Sequence, residues 1–170
     1  MTLTLYIVDG YNVLHALFRG ADKEEIFARR DWLADRLASF AAVRGAKAVL
    51  VFDGHGPQST SSVPFKGAPV EVCFAGGRFT ADTLIARRIA EQPADIAVVV
   101  VSADQEVQRT ASRAGVSRMT PLELGAELLG ADSAQALDTA QDSTTMLSRL
   151  EDKVDPETLR RLEEMRNKPQ

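Results

Sequence analysis

The sequence is poor in the residue types on which many catalytic sites depend. Among its 170 residues there are one cysteine and two histidines. A single cysteine excludes an internal disulfide and a zinc site made of several cysteines. Cys73 alternates with Glu71 in an apolar segment, so we expect a small core side chain rather than a reactive thiol. No Ser-His-Asp arrangement or cysteine nucleophile is evident.

The chain also has no long hydrophobic run and no excess of positive charge. No apolar stretch approaches the ~20 residues of a membrane span, and no basic segment precedes an apolar one at the N-terminus. We therefore expect a cytoplasmic protein without a membrane partner. The net charge of −4 argues against a protein that coats nucleic acid along its whole surface. A local basic patch, or a metal ion that offsets acidic residues, would still permit a polyanionic substrate.

The length and composition are those of one globular domain with an appendage. The chain is 45% hydrophobic and 26% charged, which are ordinary values for a globular protein. We predict a domain over residues 1–130 and a helical extension over residues 131–170. The extension is first polar and alanine-rich and then carries a narrow apolar stripe in its last helix. These patterns leave the oligomeric state open.

Short strands that are followed by an aspartate form the most informative pattern in the chain. Continuous apolar runs predict strands buried on both faces of a parallel sheet, at residues 5–8, 48–52 and 96–101. Asp9 and Asp53 directly follow the first two runs, and Asp104 lies shortly after the third. A carboxylate at the end of such a strand either caps the next helix or faces the crevice in which open α/β sheets bind ligands.

The segments between these strands complete an α/β pattern. Helices are predicted over residues 22–44, 81–91, 105–114 and 121–130, and further strands over residues 70–74 and 116–119. This alternation implies a mostly parallel sheet with right-handed crossovers. Thr80 is a suitable N-cap for the helix that carries Asp82 in its first turn. Residues 54–67 have the composition of a loop, which is either a lid or a surface connector.

Four aspartates at one edge of this sheet would require a compensating cation. Asp82 on its own is explained by a favourable interaction with the helix dipole, worth ~0.3–1 kcal/mol. Two unit charges ~4 Å apart at an effective dielectric of ~20 repel by ~4 kcal/mol, however, and dipoles do not offset four converging carboxylates. Oxygen ligands without histidine or thiolate pairs favour Mg²⁺ or Mn²⁺. These ions promote phosphodiester hydrolysis, because they polarise a phosphoryl oxygen and lower the pKa of a bound water.

A polyanionic substrate would need cationic side chains near the same edge. The candidates are Lys66, Arg78, Arg87, Arg88, Arg109 and Arg113. Aromatic residues make up 6% of the chain, and the candidates for stacking on bases are Tyr11, Phe65 and Phe79. His55 lies two residues after Asp53 and is better placed to touch substrate than His15, which we expect to be structural. We expect binding led by the nucleic-acid backbone.

Four short motifs contain the aspartates discussed above. They are Val8-Asp9-Gly10-Tyr11-Asn12, Val51-Phe52-Asp53-Gly54-His55, Thr80-Ala81-Asp82 and Ser102-Ala103-Asp104. In this order and combination the sequence resembles the YacP-like members of the NYN branch of the PIN-like nuclease superfamily. The resemblance extends over about residues 3–130, and residues 150–166 are similar to the C-terminal helix of these proteins. Each motif alone is weak, but the four together are quite specific.

This resemblance implies a three-layer α/β/α PIN-like fold and an endoribonuclease that depends on Mg²⁺ or Mn²⁺. It implies that the metal-binding and catalytic acids are Asp9, Asp53, Asp82 and Asp104, and that Asn12 and Ser102 assist them. It also implies RNA as the substrate, including messenger RNA engaged with the ribosome. We predict that the residues that contact substrate are Tyr11, His55, Lys66, Arg78, Thr80, Arg87 and Ser102.

A module of the same fold that binds without cutting is the main alternative. Family members often carry further acids in the helix after Asp82, whereas this chain has Thr83 and Ala86. Together with the acidic net charge, this leaves open a catalytically weak or inactive domain that binds RNA or the ribosome. An Asp82→Asn variant would distinguish the two, since only the nuclease has cleavage to lose.

Two other enzyme or binding classes fit the sequence poorly. A phosphatase of the haloacid-dehalogenase kind needs a second acid two residues after the first, and Tyr11 stands there after Asp9. A dinucleotide-binding site needs a third glycine and a following helix, whereas Gly54-His55-Gly56 leads into a proline and a serine-rich segment. Neither class is favoured.

Overall fold

A computed structural model of the chain describes residues 3–54, 60–110 and 115–130. Its strands are β1 (Thr4–Asp9), β2 (Lys47–Asp53), β3 (Ser61–Pro64), β4 (Val70–Ala75), β5 (Ala97–Val101) and β6 (Val116–Met119). Its helices are α1 (Gly10–Leu17), α2 (Lys23–Ala28), α3 (Arg30–Arg44), α4 (Ala81–Ala90) and α5 (Gln105–Thr110), and residues 121–130 are also helical (α6). The predicted extension over residues 131–170 and the predicted contacts of His55 and Arg113 lie outside the described residues.

The described strands form one sheet whose order is β3-β4-β2-β1-β5-β6. All of them run parallel except β3, which pairs antiparallel with β4 at the end of the sheet. The parallel strands therefore end together, and we call this side the carboxyl edge of the sheet. Asp9 and Asp53 are the last residues of β1 and β2. The predicted mostly parallel α/β sheet is confirmed.

Two hydrophobic clusters cover the two faces of the sheet. Tyr6 and Val8 of β1 belong to a cluster that includes residues of α1, α3 and α6. Leu5 and Ile7, which alternate with them, belong to a second cluster with residues of α4 and α5. Because both faces of β1 are covered, its sequence is continuously apolar rather than alternating. The three-layer α/β/α arrangement is thereby confirmed.

The long helix predicted over residues 22–44 is two helices. Asp22 and Glu25 form the predicted capping box at the start of α2. The helix then breaks at Arg29, where φ is −92° and ψ is 1°. No glycine or proline marks this junction. The Arg29 guanidinium packs over the ring of Phe18 at 3.9 Å, a tertiary contact that apolar periodicity does not encode.

Part of the segment predicted as a loop over residues 54–67 is a strand. In β3, Ser61 pairs with Phe74 and Pro64 pairs with Glu71. A proline is tolerated here because β3 is at the edge of the sheet and needs no partner on its outer side. The loop prediction was therefore wrong for residues 61–64, and residues 55–59 lie outside the described ranges.

Most of the predicted first domain is one compact unit. Residues 1–129 form one compact unit. The predicted boundary at residue 130 stays a prediction, because the described residues end there. Within the described ranges, no helix is both long and apolar enough to span a bilayer.

Gly54 is a position where the fold excludes a side chain. Its N–H donates to the Ala75 carbonyl oxygen at 2.6 Å, and an added Cβ atom would overlap that oxygen. We expect Gly54→Ala to lower the free energy of unfolding by about 1–3 kcal/mol, the usual cost of overpacking. Denaturant unfolding monitored by circular dichroism measures the change.

Gly130→Ala is the matched control for this substitution. Among the residues that the structure describes, no atom lies within 4 Å of a Cβ added at Gly130, which is helical. Alanine there should leave stability unchanged or raise it by up to about 1 kcal/mol, because glycine costs more backbone entropy in a helix. Equal effects of the two substitutions would contradict the close approach of Gly54 to β4.

Candidate active site at the carboxyl edge of the sheet

The four predicted aspartates line one cavity of about 360 Å³ at the carboxyl edge. Asp9 ends β1, Asp53 ends β2, Asp82 lies in the first turn of α4, and Asp104 lies directly before α5. We call this space the acidic cavity. Four separate elements thus bring acids that are distant in sequence to one place.

Asp9 is the buried member of the group. It is 5% exposed, whereas the other three aspartates are exposed residues. Its carboxylate accepts the backbone N–H of Asn12 at 3.1 Å and so caps α1. Burial raises the pKa of Asp9 from 3.8 to about 6, and the charges of Asp82 and Asp53 add to the rise, while hydrogen bonds from Asn12 oppose it. The ionised form of Asp9 is therefore costly without a nearby cation.

Asn12 connects two of the acid-bearing segments. Its side-chain oxygen accepts the N–H of Ala103 at 2.9 Å, and its side chain also hydrogen-bonds to Asp9. The amide thus joins the end of β1 to the segment between β5 and α5. Asn12 lines the acidic cavity, but the contacts that the structure gives it are those of a positioning residue.

Asp53 ties the end of β2 to the start of α4. Its Oδ1 accepts the N–H of Ala81, the first residue of that helix, at 2.8 Å. Thr80 is the N-cap, as predicted, and its hydroxyl accepts the N–H of Thr83 at 3.2 Å. The start of α4 is therefore capped twice, and Asp82 is held beside Asp53.

Asp82 lies among other negative charges. Partial burial raises the pKa of its carboxyl, and the charges of Asp104, Asp53 and Glu106 raise it further. Glu106 was not among the residues predicted from the sequence. It lies in the first turn of α5, and its nearness to Asp82 depends on how α5 packs rather than on any motif.

Ser102 is placed differently from the prediction that it contacts substrate. The residue is fully buried, and its hydroxyl accepts the N–H of Asp104 at 3.0 Å. Asp104 in turn accepts the N–H of Glu106 at 2.6 Å through its Oδ1. Ser102 therefore positions Asp104, and its buried hydroxyl does not line the acidic cavity. A polar residue directly after a central strand can face inward, and sequence spacing does not reveal which way it faces.

A cation that was not predicted from the sequence lies beside Tyr11. Burial raises the pKa of the Tyr11 hydroxyl, while the charge of Arg30 and a hydrogen bond from it oppose the rise. Arg30 also lies over the rings of Phe27 and Phe74, at 5.2 and 5.5 Å. Tyr11 lines the acidic cavity, so this hydrogen bond links Arg30 to a residue of the cavity wall. Arg30 is the first residue of α3. Its position beside Tyr11 could have been predicted only if the break between α2 and α3 had been recognised in the sequence.

Three of the predicted cations do not line the acidic cavity and are paired with acids elsewhere. Lys66 was predicted at the carboxyl edge, but antiparallel β3 carries the chain to the opposite edge, where the N–H of Phe65 donates to the carbonyl of Val70. Lys66 pairs there with Asp35 at 3.2 Å. Arg87 lies in the last turn of α4 and pairs with Glu91 at 2.7 Å. The neighbouring Arg88 pairs with Glu71.

The turn between β4 and α4 presents a cation and an aromatic ring at the carboxyl edge. Arg78 is exposed, and Phe79 is 44% exposed although it is a large hydrophobic residue. Gly77, with φ at 68°, makes the turn possible. Within the described ranges Arg78 has no ion-pair partner. Arg109 is also exposed, on α5.

The acidic cavity suits a cation that keeps water ligands. Within residues 3–54, 60–110 and 115–130, no three acidic, histidine or cysteine side chains are close enough to ligate one ion together. An ion enclosed by protein ligands alone therefore does not fit. Magnesium commonly binds through one or two carboxylates, several waters and a substrate phosphate, and the donors of this cavity fit that mode.

A protein-family profile covers most of the chain. The profile of the YacP-like NYN domain matches residues 6–167 of the sequence. The chain belongs to the YacP-like NYN domain family. Its members have a nuclease-type domain, so the family relationship assigns this general class to the chain. No curated protein matches the sequence significantly.

Crystal structures of Rae1 (YacP) from Bacillus subtilis resemble this structure. One, of a single-residue mutant, has a TM-score of 0.69 and 22% identity, over 84% of this chain and 85% of that chain. Another has a TM-score of 0.64 and 22% identity, over 98% of this chain and 95% of that chain. At this level of identity the similarity shows the shared fold.

The raised pKa of Asp9 predicts a pH-dependent loss of stability. The folded state binds more protons than the unfolded state between pH 3.8 and about 6, so stability falls as the pH rises through this interval. Asp9→Asn removes the charge and keeps a residue that caps helices. Without metal, it should raise the free energy of unfolding at pH 7.5 by up to about 3 kcal/mol and have little effect at pH 3.5.

Urea unfolding with chelator at the two pH values measures this effect. Asp95→Asn, at an exposed position before β5, is the control and should change stability little at either pH. A loss of stability in Asp9→Asn at pH 7.5 would show that the metal-free fold favours ionised Asp9, which contradicts the cost assigned to burying its charge.

Proposed function

We propose that this chain is a Mg²⁺- or Mn²⁺-dependent endoribonuclease that hydrolyses phosphodiester bonds in RNA, with messenger RNA at the ribosome as a target. The observation that carries the proposal is the cavity lined by Asp9, Asp53, Asp82 and Asp104. Membership of the YacP-like NYN family supports a nuclease-type activity.

The acids of the cavity would repel a phosphodiester unless a cation lay between them. Of Asp9, Asp53, Asp82 and Asp104, one or two would ligate it directly, with water in the remaining positions. When bound, a divalent cation supplies a polarised phosphoryl oxygen and a water of lowered pKa. The capping hydrogen bonds from the starts of α1, α4 and α5 leave further carboxylate oxygens of the capping aspartates for this purpose.

Asp82 is the best-placed residue to accept a proton from the attacking water. It is exposed and lines the cavity, and partial burial together with neighbouring negative charges raises its pKa. A carboxylate with a raised pKa is a better general base than an ordinary aspartate. Asn12 and Ser102 keep Asp9 and Asp104 in place rather than exchange protons.

Substrate contacts come from residues at and near the acidic cavity. Arg78 and Phe79, on the turn before α4, offer a cation for a phosphate and a ring for a base. Tyr11 lines the cavity, and Arg30 is hydrogen-bonded to it. Thr80 contributes indirectly, since its hydroxyl caps α4.

An RNA- or ribosome-binding module without cleavage is the second candidate. It is favoured by the absence, within the described ranges, of three side chains close enough to bind one ion directly. A cavity that binds cations weakly would have little activity. The two candidates share the same binding surface and differ in whether Asp82 takes part in chemistry.

The first test is cleavage of labelled RNA by Asp82→Asn. Asp82 is exposed and the substitution keeps its size, so the fold should persist. With Mn²⁺, the wild type should make internal cuts in a mixed pool of RNAs, and chelator should abolish them. The variant should cut roughly 100-fold or more slowly, comparable with the loss of other groups that act in a transition state, and should still bind RNA.

Asp95→Asn is the control for the loss of one negative charge, and it should cut like the wild type. Cuts that persist in chelator would contradict metal dependence. If the wild type binds RNA but cuts none of it, alone or on ribosomes, the chain is the binding module and the nuclease proposal is wrong.

A second test compares two arginines at opposite ends of α4. Arg78 is at the carboxyl edge, whereas Arg87 is paired with Glu91 away from it. Arg78→Gln should therefore weaken RNA binding and reduce the slope of log affinity against log salt by about 0.7, the value for one phosphate contact to a single strand. Arg87→Gln should leave both unchanged. Equal effects in fluorescence anisotropy would contradict the assigned substrate path.

A further inference from the structure

A second cavity adjoins the acidic one. It has a volume of about 590 Å³ and lies between α1, the segment before α5 and the start of α6. We call it the lateral cavity. Its size is within the range of ~300–1,000 Å³ typical of small-molecule sites. Nothing in the family relationship or the proposed chemistry accounts for it.

The two cavities share part of their lining. Asn12 and Ala103 line both of them, and the hydrogen bond of 2.9 Å that joins these residues lies between the two spaces. A polymer with one phosphate group in the acidic cavity would therefore pass over Asn12 and Ala103. Its next monomer would enter the lateral cavity. The hydrogen bond between Asn12 and Ala103 would then set the distance between the two units.

The lining of the lateral cavity differs in chemistry from that of the acidic cavity. Leu122, which is 52% exposed, and Pro121 provide an apolar wall. Arg19 and His15 are exposed at the same cavity, and none of the described residues that line it is acidic. His15 was expected from the sequence to be structural, and the structure places it at this surface instead. The start of α6 is held by the predicted Thr120 cap.

These features match one nucleotide of a single strand. A base can bury a flat face against an apolar wall, and a guanidinium at the rim can contact the attached phosphate. The acidic cavity is lined by aspartates instead, so it would bind a phosphate only through a cation. The lateral cavity is therefore suited to binding the substrate, and the acidic cavity to its chemistry.

We propose that the lateral cavity binds the nucleotide next to the scissile phosphate, with its base against Leu122 and its phosphate near Arg19. The inference rests on the proposed function, because it requires RNA in the acidic cavity. It adds a subsite that would fix where along the strand the cut falls and would make the enzyme sensitive to the presence of a base at that position.

The test is a scan of RNA with one abasic residue at each position in turn. Binding is measured by fluorescence anisotropy with Mn²⁺ in the full-length Asp82→Asn background, so that RNA is bound without being cut. Leu122→Trp fills the cavity from an exposed position, and Val43→Trp, on an exposed residue that is 75% accessible, is its control. Arg19→Gln removes the cation, and Lys47→Gln, exposed at the start of β2, makes the same charge change elsewhere.

The subsite predicts a specific pattern. In the Asp82→Asn protein, RNA with an abasic residue at one position beside the cut site should bind roughly tenfold more weakly than intact RNA. The cut site is the one at which the wild type cleaves. Leu122→Trp should weaken binding of intact RNA by a similar factor and show no further loss at that position. Arg19→Gln should reduce the salt slope by about 0.7. The two controls should behave like the background protein.

Other outcomes overturn the inference. An equal abasic effect with and without Leu122→Trp, or no effect at any position beside the cut, would show that no base occupies the lateral cavity. Loss of ribosome binding in Leu122→Trp with unchanged RNA binding would assign the cavity to a protein partner instead. Failure of the wild type to cut or bind any RNA is a separate result, since it removes the proposed function itself.

Discussion

Electrostatic repulsion among carboxylates at one edge of a parallel sheet is the constraint on which the candidate site depends. Parallel strands end at the same edge, so Asp9 and Asp53 emerge side by side from β1 and β2. Asp82 and Asp104 arrive from the start of α4 and the segment before α5. Burial raises the pKa of Asp9 to about 6 and also raises the pKa of Asp82, and the neighbouring negative charges add to both rises. A divalent cation is the simplest partner for such an arrangement.

Helix capping and function are performed here by the same side chains. Asp9, Asp53 and Asp104 each accept a backbone N–H at the start of a helix, with oxygen-to-nitrogen distances of 3.1, 2.8 and 2.6 Å. These hydrogen bonds orient the carboxylates and stabilise their charge, which makes the crowding tolerable. Asn12 adds a link between two of the segments. The network explains how the fold can hold acids together before any cation is bound.

The fold and the acids could be predicted from the sequence because both follow from local patterns. Continuous apolar runs identified the central strands, and an aspartate after each run could lie only at one edge of a parallel sheet. Features that depend on tertiary packing could not be predicted in this way. The antiparallel course of β3 places Lys66 at the opposite edge, and Ser102 is buried and does not line the acidic cavity. Arg30 reaches Tyr11 only because α2 and α3 are separate helices.

The most direct test of cation binding at the carboxyl edge is to locate Mn²⁺ by anomalous scattering in crystals of the full-length protein soaked at millimolar Mn²⁺. We predict a peak in the acidic cavity, with one or two of its aspartates as ligands and water in the other positions. Asp9→Asn crystals soaked in the same way should show that peak weakened or absent. A clear peak elsewhere, or none at the carboxyl edge, would contradict the claim that these acids are gathered to bind a divalent cation.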